Sequence, residues 1–424
     1  MRIVFASLGS LGDLHPLLAL AGEARGRGHE VALAASAGYR ELITSHGYAF
    51  HRLRPDLNHD TGRREYLSHP AKGPERFMTE ELFPAARETY ADLLAAARGA
   101  DVLVVGELLY VAPLVAAKLR IPWANVILSP SSFLSACDPC VLAPAPWLHG
   151  LRHLGRWPHR LIFAIGRAVT SQWGKPLLAL REDLGFPPGP SPVFEGKHSE
   201  DLVLACFPRF FAAPQPDWPA AVVQTGFPFL AQPCRPENSA RIESFLASGP
   251  PPIIFTLGST AVHIARGFYA SAAASARELG RRAILLLGSN EPPAAAEDLL
   301  SLDYAPLDAV IPRAAAVVHH GGVGTCGETL RAGVPSLVIP FGYDQPDNGE
   351  RLRKLGVGRV LARHRISQTT LTAGLRAILE DPAMTTRAQD LSRQIHPGAE
   401  LTASLSAIER LVRPVGVQAL ACSG

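Results

Sequence analysis

His319-His320-Gly321-Gly322-Val323-Gly324-Thr325-Cys326-Gly327-Glu328 (HHGGVGTCGE) follows directly on the apolar run AAAVV at 314–318. AAAVVHH (314–320) reads as a buried strand, and residues from about 324 to 332 read as a helix. Four glycines in seven positions make the turn between them. Strand, glycine-rich turn and helix together form an anion site. Free backbone N–H groups point outward at the helix start, and the helix dipole favours negative charge there. Glycine lets a phosphate approach the backbone closely. His320 adds a side-chain donor and Thr325 a hydroxyl, a combination suited to a diphosphate. His319 is expected to pack behind the site.

Gly322 to Gly327 also matches GxGxxG, which alone suggests a dinucleotide fingerprint with Asp344 as its distal acid. Three features point elsewhere. The motif lies late in the chain, two histidines precede it, and Asp344 opens Gln345-Pro346-Asp347-Asn348 in a loop after a strand. A ribose needs one carboxylate, whereas that polar cluster could hold the several hydroxyls of a sugar ring.

Outward from this turn the chain alternates strand and helix. RIVFAS (2–7), HEVALAA (29–35), DVLVVG (101–106) and WANVIL (123–128) read as strands in the first third. The helix at 16–28 shows Leu17, Leu18, Leu20, Ala21 and Ala24 on one face, with Pro16 in its first turn. PIIFTLGS (252–259), RAILLLGS (282–289) and PSLVIPFG (335–342) continue the rhythm, with helices across 267–280 and near 400–412. Such alternation implies parallel sheets covered on both faces. The segment 228–252 carries six prolines and reads as a linker. The fold class is therefore α/β with two doubly wound domains.

The 424 residues suit two domains, and 47% hydrophobic against 19% charged residues indicate a globular chain. A net charge of +3 is too weak to predict nucleic-acid binding. MRIVFASLGSLGD reads as a first strand and not a signal peptide. The longest apolar stretch (102–119) contains Gly106, Glu107, Pro113 and Lys118, so no bilayer span is expected. A cytoplasmic location follows as the expectation. Six scattered cysteines (137, 140, 206, 234, 326, 422) argue against a disulfide framework. Cys137 and Cys140 have CxxC spacing, but no second pair completes a metal site. Residues 141–185 read as two or three helices with Trp147, Trp157 and Trp173, accompanied by Arg152, Arg156, Arg160 and Arg167. They suit helices packed on the first domain, or alternatively an apolar acceptor cleft or a peripheral membrane contact.

The segment HHGGVGTCGETLRAGVPSLVIPFGYDQPDNGERLRKLGVG (319–358) resembles the nucleotide-sugar signature of the UDP-glycosyltransferase superfamily, of GT-B fold. It is most similar to bacterial members of the rhamnosyltransferase and sterol or macrolide glycosyltransferase type. GSLGDLHPLLALAGEARGRGHEV (9–31) and TGFPFL (225–230) resemble other parts of the family. The resemblance implies Rossmann-like domains facing across a cleft. An acceptor domain would span 1–215, a linker 216–251 and a nucleotide-sugar domain 252–397. A helix over about 398–415 would pack back on the first domain.

It also assigns roles. His320 would contact the diphosphate, with Gly322, Gly324 and Thr325 around it and Ser259 near the second phosphate. Glu328 would hold the ribose; without the resemblance it reads as a first-turn carboxylate favoured by the helix dipole. Asp344 and Gln345 would bind the donor sugar, and Tyr304 falls near the base-stacking aromatic, although YAPLDAVIPRAA departs from the WxPQ form of plant members. Ser10 and Gly12 are placed with the donor-binding residues. The catalytic base would be Asp13, where many relatives carry His; read locally, Asp13 also suits a helix cap. His15 is the second candidate base, and Glu107 sits near the position of the supporting Asp.

The implied reaction is inverting transfer from a UDP- or dTDP-sugar to a hydroxyl of a lipophilic acceptor, with no cofactor and no metal, since no DxD-type pair is evident. A nucleotide-sugar epimerase and an NAD-dependent oxidoreductase are the alternatives. The sequence names no sugar, acceptor or oligomeric state.

Overall fold

A computed structural model describes residues 1–57, 61–232, 235–264 and 267–412. Cys234, Cys422, Pro233 and the last residues of the expected 398–415 helix lie outside the described residues. Among the described residues thirteen strands form two sheets, and every pairing between these strands is parallel. The first sheet contains β1 (Arg2–Ala6), β2 (Glu30–Ala35), β3 (Ala49–Arg52), β4 (Val102–Gly106), β5 (Trp123–Ile127), β6 (Leu202–Ala205) and β7 (Val222–Gln224), in the order β3-β2-β1-β4-β5-β6-β7. The second contains β8 (Ile253–Thr256), β9 (Ala283–Leu286), β10 (Leu299–Leu302), β11 (Ala316–His319), β12 (Ser336–Val338) and β13 (Gly358–Val360), in the order β10-β9-β8-β11-β12-β13.

Both sheets reverse their winding once, between β1 and β4 and between β8 and β11. In such sheets ligands bind outside the carboxyl ends of the strands at the reversal. Alternation along β1 shows how each sheet is buried on both faces. Val4 and Ala6 join a core with Phe83, Tyr90 and Leu93, while Ile3 and Phe5 join another with Leu14, Leu17 and Leu20.

The final helix, Pro397–Val412, returns to the first sheet. It adds Leu405, Ala407 and Ile408 to the core of Ile3 and Phe5. Glu409 meets Arg27 at 3.2 Å and His29 at 2.9 Å, and Thr402 donates to Glu23 at 3.1 Å.

Between the two sheets lies a buried charge cluster that the sequence reading missed. Arg351 holds Asp347 and Asp138, each at 2.8 Å, and donates to the Phe211 carbonyl at 3.2 Å. The Val141 N–H donates to Asp347 at 3.0 Å, tying the strand-poor segment after β5 to the second half of the chain. The Cys137–Cys140 segment therefore supplies Asp138 to this lock, and both thiols are free.

Two expectations change. The first helix runs over Leu11–Gly26, so Pro16 lies inside it and not in its first turn. The start is set by a capping box in which the Ser10 hydroxyl accepts from the backbone and Asp13 reaches back to Ser10. The proline-rich 216–251 segment holds β7 and the helix Pro236–Ala247, whose first proline needs no N–H partner. Residues 146–185 form a 3₁₀ stretch (Pro146–Leu154) and the helices Trp157–Thr170 and Lys175–Asp183. They bury Phe163, Leu177 and Leu180, yet Trp147 and Trp157 stay 73% and 63% exposed.

Candidate active site in the cleft

The carboxyl ends of β1, β4, β8, β11 and β12 deliver the predicted residues to one interdomain region. From β11 the chain enters the turn that opened the sequence reading. His319 is fully buried and its Nδ1 accepts from the Gly321 N–H at 3.1 Å, which puts the ring proton on Nε2. Gly321 has φ +90° and a Cβ there would meet the Gln345 carbonyl at 2.9 Å, so this position requires glycine.

The ring of His320 lies between Gly258 and Gly322. A Cβ at either would come within 2.4 Å and 2.3 Å of imidazole atoms. The two glycines thus exist to let this ring stand in the turn. Burial lowers its pKa to about 4, so the ring is neutral and offers one N–H donor.

The Val323–Ala332 helix starts here with Gly322 as N-cap and no side chain capping it. Its first-turn N–H groups have no intrahelical partners. Thr325 is buried in that turn, and a side chain at Gly324 would meet nothing within 4 Å. Ser259 is exposed in the short helical turn Gly258–Ala261 that follows β8.

Glu328 is the sixth residue of the helix, beyond its first turn, so the dipole explanation for it does not apply. Its carboxylate pairs with Arg331 at 2.5 Å, and burial raises its pKa. Arg331 in turn lies over the ring of Phe229, 4.6 Å from the centroid.

After β12, Asp344 is the N-cap of the helix Gln345–Lys354. Its Oδ2 accepts from Asn348 Nδ2 at 2.7 Å. Gln345 Oε1 accepts from the N–H groups of Phe341 at 2.7 Å and Gly342 at 3.2 Å, which leaves its amide nitrogen to point elsewhere. The Asp347-Asn348 pair, expected in a hydroxyl-binding loop, is instead helical and buried. Asn348 is consumed in structure, since it also donates to Gly321 O at 3.0 Å and accepts from Ser129 at 3.1 Å. Its spacing of four from Asp344 on a helix was the available signal.

On the opposite wall Asp13 uses one oxygen as a cap and keeps the other. Oδ2 accepts from the Ser10 N–H at 2.7 Å and from the Ser10 hydroxyl at 3.0 Å. The Gly12 N–H donates to the same hydroxyl at 3.2 Å, so Ser10 and Gly12 build the turn that aims this carboxylate. Among the described residues Oδ1 makes no hydrogen bond. The cap and base readings are thus compatible. Burial raises the pKa of Asp13 from 3.8 to about 6, the Ser10 bonds oppose this, and the charge of Glu107 adds to it.

Asp344 is raised further, from 3.8 to about 7, first by burial and then by the charges of Asp13 and Glu107. Three carboxylates from three strand ends therefore face one cleft. Glu107 itself accepts from Ser132 at 2.5 Å and lies 3.5 Å from the buried amine of Lys197. Neither partner was foreseen, because both stand far from Glu107 in sequence.

His15 is two residues beyond Asp13 on the same helix, and such residues do not share a face. Its ring meets the amide of Gln232 at 2.7 Å, and burial lowers its pKa to about 4. Gln232 also accepts from the Tyr304 hydroxyl. His15 is thus joined through the interdomain segment to the region expected to stack on a base, and Tyr304 stays 47% exposed. Among the described residues no group of three His, Cys, Asp or Glu is arranged to hold a metal ion.

Two family models match. The glycosyltransferase family 28 N-terminal domain covers residues 3–123, and the erythromycin biosynthesis protein CIII-like C-terminal domain covers 292–400. The O-mycaminosyltylonolide 6-deoxyallosyltransferase of Streptomyces fradiae is 32% identical over 411 residues, covering 93% of this chain and 94% of that one. Among solved structures, the glycotransferase of kitacinnamycin superposes with a TM-score of 0.70 at 21% identity, covering 97% of this chain and 99% of its own. The spinosyn rhamnosyltransferase SpnG, complexed with thymidine diphosphate, superposes with a TM-score of 0.65 at 17% identity, covering 97% and 100%.

Proposed function

The chain belongs to the UDP-glycosyltransferase superfamily, with the two facing α/β domains of the GT-B fold, and from that premise we propose which transfer it performs. It is a glycosyltransferase that moves a hexose or deoxyhexose from a UDP- or dTDP-sugar to a hydroxyl of a lipophilic small molecule, with inversion. The observation that carries this reading is the meeting of Asp13, from the first sheet, with Asp344, from the second, beside an uncapped helix start. The charge of Asp13 is one of the causes that raise Asp344.

In this reading the diphosphate lies on the first-turn N–H groups of the Val323–Ala332 helix, with His320 and Ser259 as further donors. Negative charge grows on the leaving oxygen as the glycosidic bond breaks. Donors fixed at that place stabilise the charge most where it develops. Glu328 would take the ribose hydroxyls, and Tyr304 would stack on the base. Asp344 and the free amide nitrogen of Gln345 would hold the sugar hydroxyls.

Asp13 Oδ1 accepts the acceptor's proton as its oxygen attacks the anomeric carbon from the face opposite the diphosphate. A base with a pKa near 6 is charged at neutral pH yet basic enough to take part of that proton. Glu107, held by Ser132 and Lys197, would orient the acceptor hydroxyl. Because a structural neighbour holds thymidine diphosphate, dTDP-sugars are the first donors to test.

The test is a thermal-shift screen of UDP, dTDP and their sugars, followed by product analysis with hydroxylated acceptors. Ligands that bind the folded state raise its midpoint. A new glycoside with inverted anomeric configuration supports the proposal. A new nucleotide sugar formed from donor alone would favour the epimerase, which the comparisons do not favour. No shift with either nucleotide at millimolar concentration would refute it.

A further inference from the structure

Among the described residues, the exposed large apolar side chains other than Tyr66, Tyr304, Tyr343 and Val360 fall together. Trp147, Leu154, Trp157, Leu161, Ile165 and Val169 all lie within one segment, each more than half exposed. Four of them recur at intervals of four along the helix Trp157–Thr170. At 100° per residue they form one outward stripe, and at 1.5 Å per residue it is about 18 Å long. The opposite face is already committed, since His159, Phe163 and Thr170 are buried and Phe163 packs on Phe194. The stripe is therefore unused by the core, and contiguous apolar surface of this kind marks a contact.

Charge identifies the partner. Between Asp138 and Glu182 there is no acidic residue, while Arg152, Arg156, Arg160, Arg167, Lys175 and Arg181 supply positive charge. Arg156 at the N-cap and Arg160 and Arg167 on the helix fall together on one flank of the stripe, between it and the buried face. Arg167 is engaged with Glu195 at 2.8 Å, whereas no ion pair of Arg156 or Arg160 is recorded among the described residues. An outward face with Trp, Leu and Ile beside an edge of arginines matches a helix lying in the plane of a bilayer, its apolar side among the acyl chains and its guanidinium groups at the headgroup phosphates. No described helix is long and apolar enough to cross a membrane, so this would be contact from one side.

We propose that the outward face of the Trp157–Thr170 helix, extended by Trp147 and Leu154, is a docking surface for an anionic lipid bilayer. The segment packs beside the cleft: His149 lies 3.8 Å and Arg152 3.9 Å from Glu350, on the helix that Asp344 caps. Docking there would hold the cleft close to a membrane in which a lipophilic acceptor dissolves. The surface itself does not depend on which sugar is transferred.

The test is flotation of the full chain with phosphatidylglycerol-containing vesicles and with pure phosphatidylcholine vesicles, at low and high salt. Two surface variants accompany it, the triple W157S/L161S/I165S and the double R156E/R160E, each checked for an unchanged thermal midpoint. Binding to the anionic vesicles that weakens with salt, and that falls about tenfold or more in both variants, supports the proposal. Equal partition into both vesicle types, no partition, or partition that survives either variant overturns it. So does self-association of the wild-type chain in light scattering that the triple variant abolishes, which would assign the stripe to a second copy.

Discussion

Replacing Asp344 by asparagine should make the ligand-free protein more stable and the enzyme worse. The carboxyl has a pKa of about 7 against an ordinary 3.8. The folded state therefore binds its proton more tightly than the unfolded state. Stability is fully present below about pH 4, and it is lost progressively as pH rises through about 7. One tenfold change in acidity corresponds to about 1.4 kcal/mol, so the charged carboxylate costs about 4 kcal/mol before screening by water in the open cleft, or about 2–4 kcal/mol after it. Asparagine removes the charge and can still accept from Asn348. At pH 8 the variant should melt about 2–5 °C higher in differential scanning fluorimetry without ligand. The advantage should shrink steadily as pH falls from 7 toward 4. In the same variant, loss of a charged hydrogen bond to the sugar should lower kcat/KM about 10–100-fold. An unchanged midpoint at pH 8, or a gain that is the same at every pH, would show that Asp344 is not a strained carboxylate and would remove the electrostatic account of the cleft.

Three other outcomes are expected. Asp13→Asn should lower kcat by about 10²–10⁴ while the nucleotide-induced thermal shift is kept, and wild-type kcat/KM should fall as pH drops through about 6; full turnover by the variant would take Asp13 out of the mechanism. Gly258→Ala places a methyl 2.4 Å from His320 at a residue with φ +67°, which should cost about 1–3 kcal/mol and abolish the shift given by UDP or dTDP, whereas a retained shift would mean that the ring is not needed for the phosphates. Arg351→Met strands Asp347 and Asp138 without their cation and should destabilise the protein by about 3–5 kcal/mol in urea unfolding; a loss under about 1 kcal/mol would show that the buried cluster is not holding the halves together.

The parts of this molecule that could be read in its sequence are those whose signal is local. Val102–Gly106 and Ala316–His319 are apolar runs of the length a doubly covered parallel strand requires, and both appear where they were expected. The glycine turn announced itself because a ring, a carbonyl and a helix start must share space there. The edge strands Ala49–Arg52 and Gly358–Val360 carry too few apolar residues to stand out from loops. The start of the first helix was misjudged because Pro16 is a louder signal than the Ser10 and Asp13 box that sets it. Contacts such as Lys197 with Glu107, Gln232 with His15, and Arg351 with Asp138 join residues far apart in the chain. Only the folded topology brings them together.

The last helix gives the chain an unusual itinerary. It crosses from the first half to the second once, after Gln224, and crosses back before Pro397. A single proteolytic nick in either connection would leave the halves tethered by the other. Anyone exchanging acceptor halves between relatives must transplant 397–412 together with 1–224, because Leu405 and Ile408 are core residues of the half that they do not adjoin in sequence.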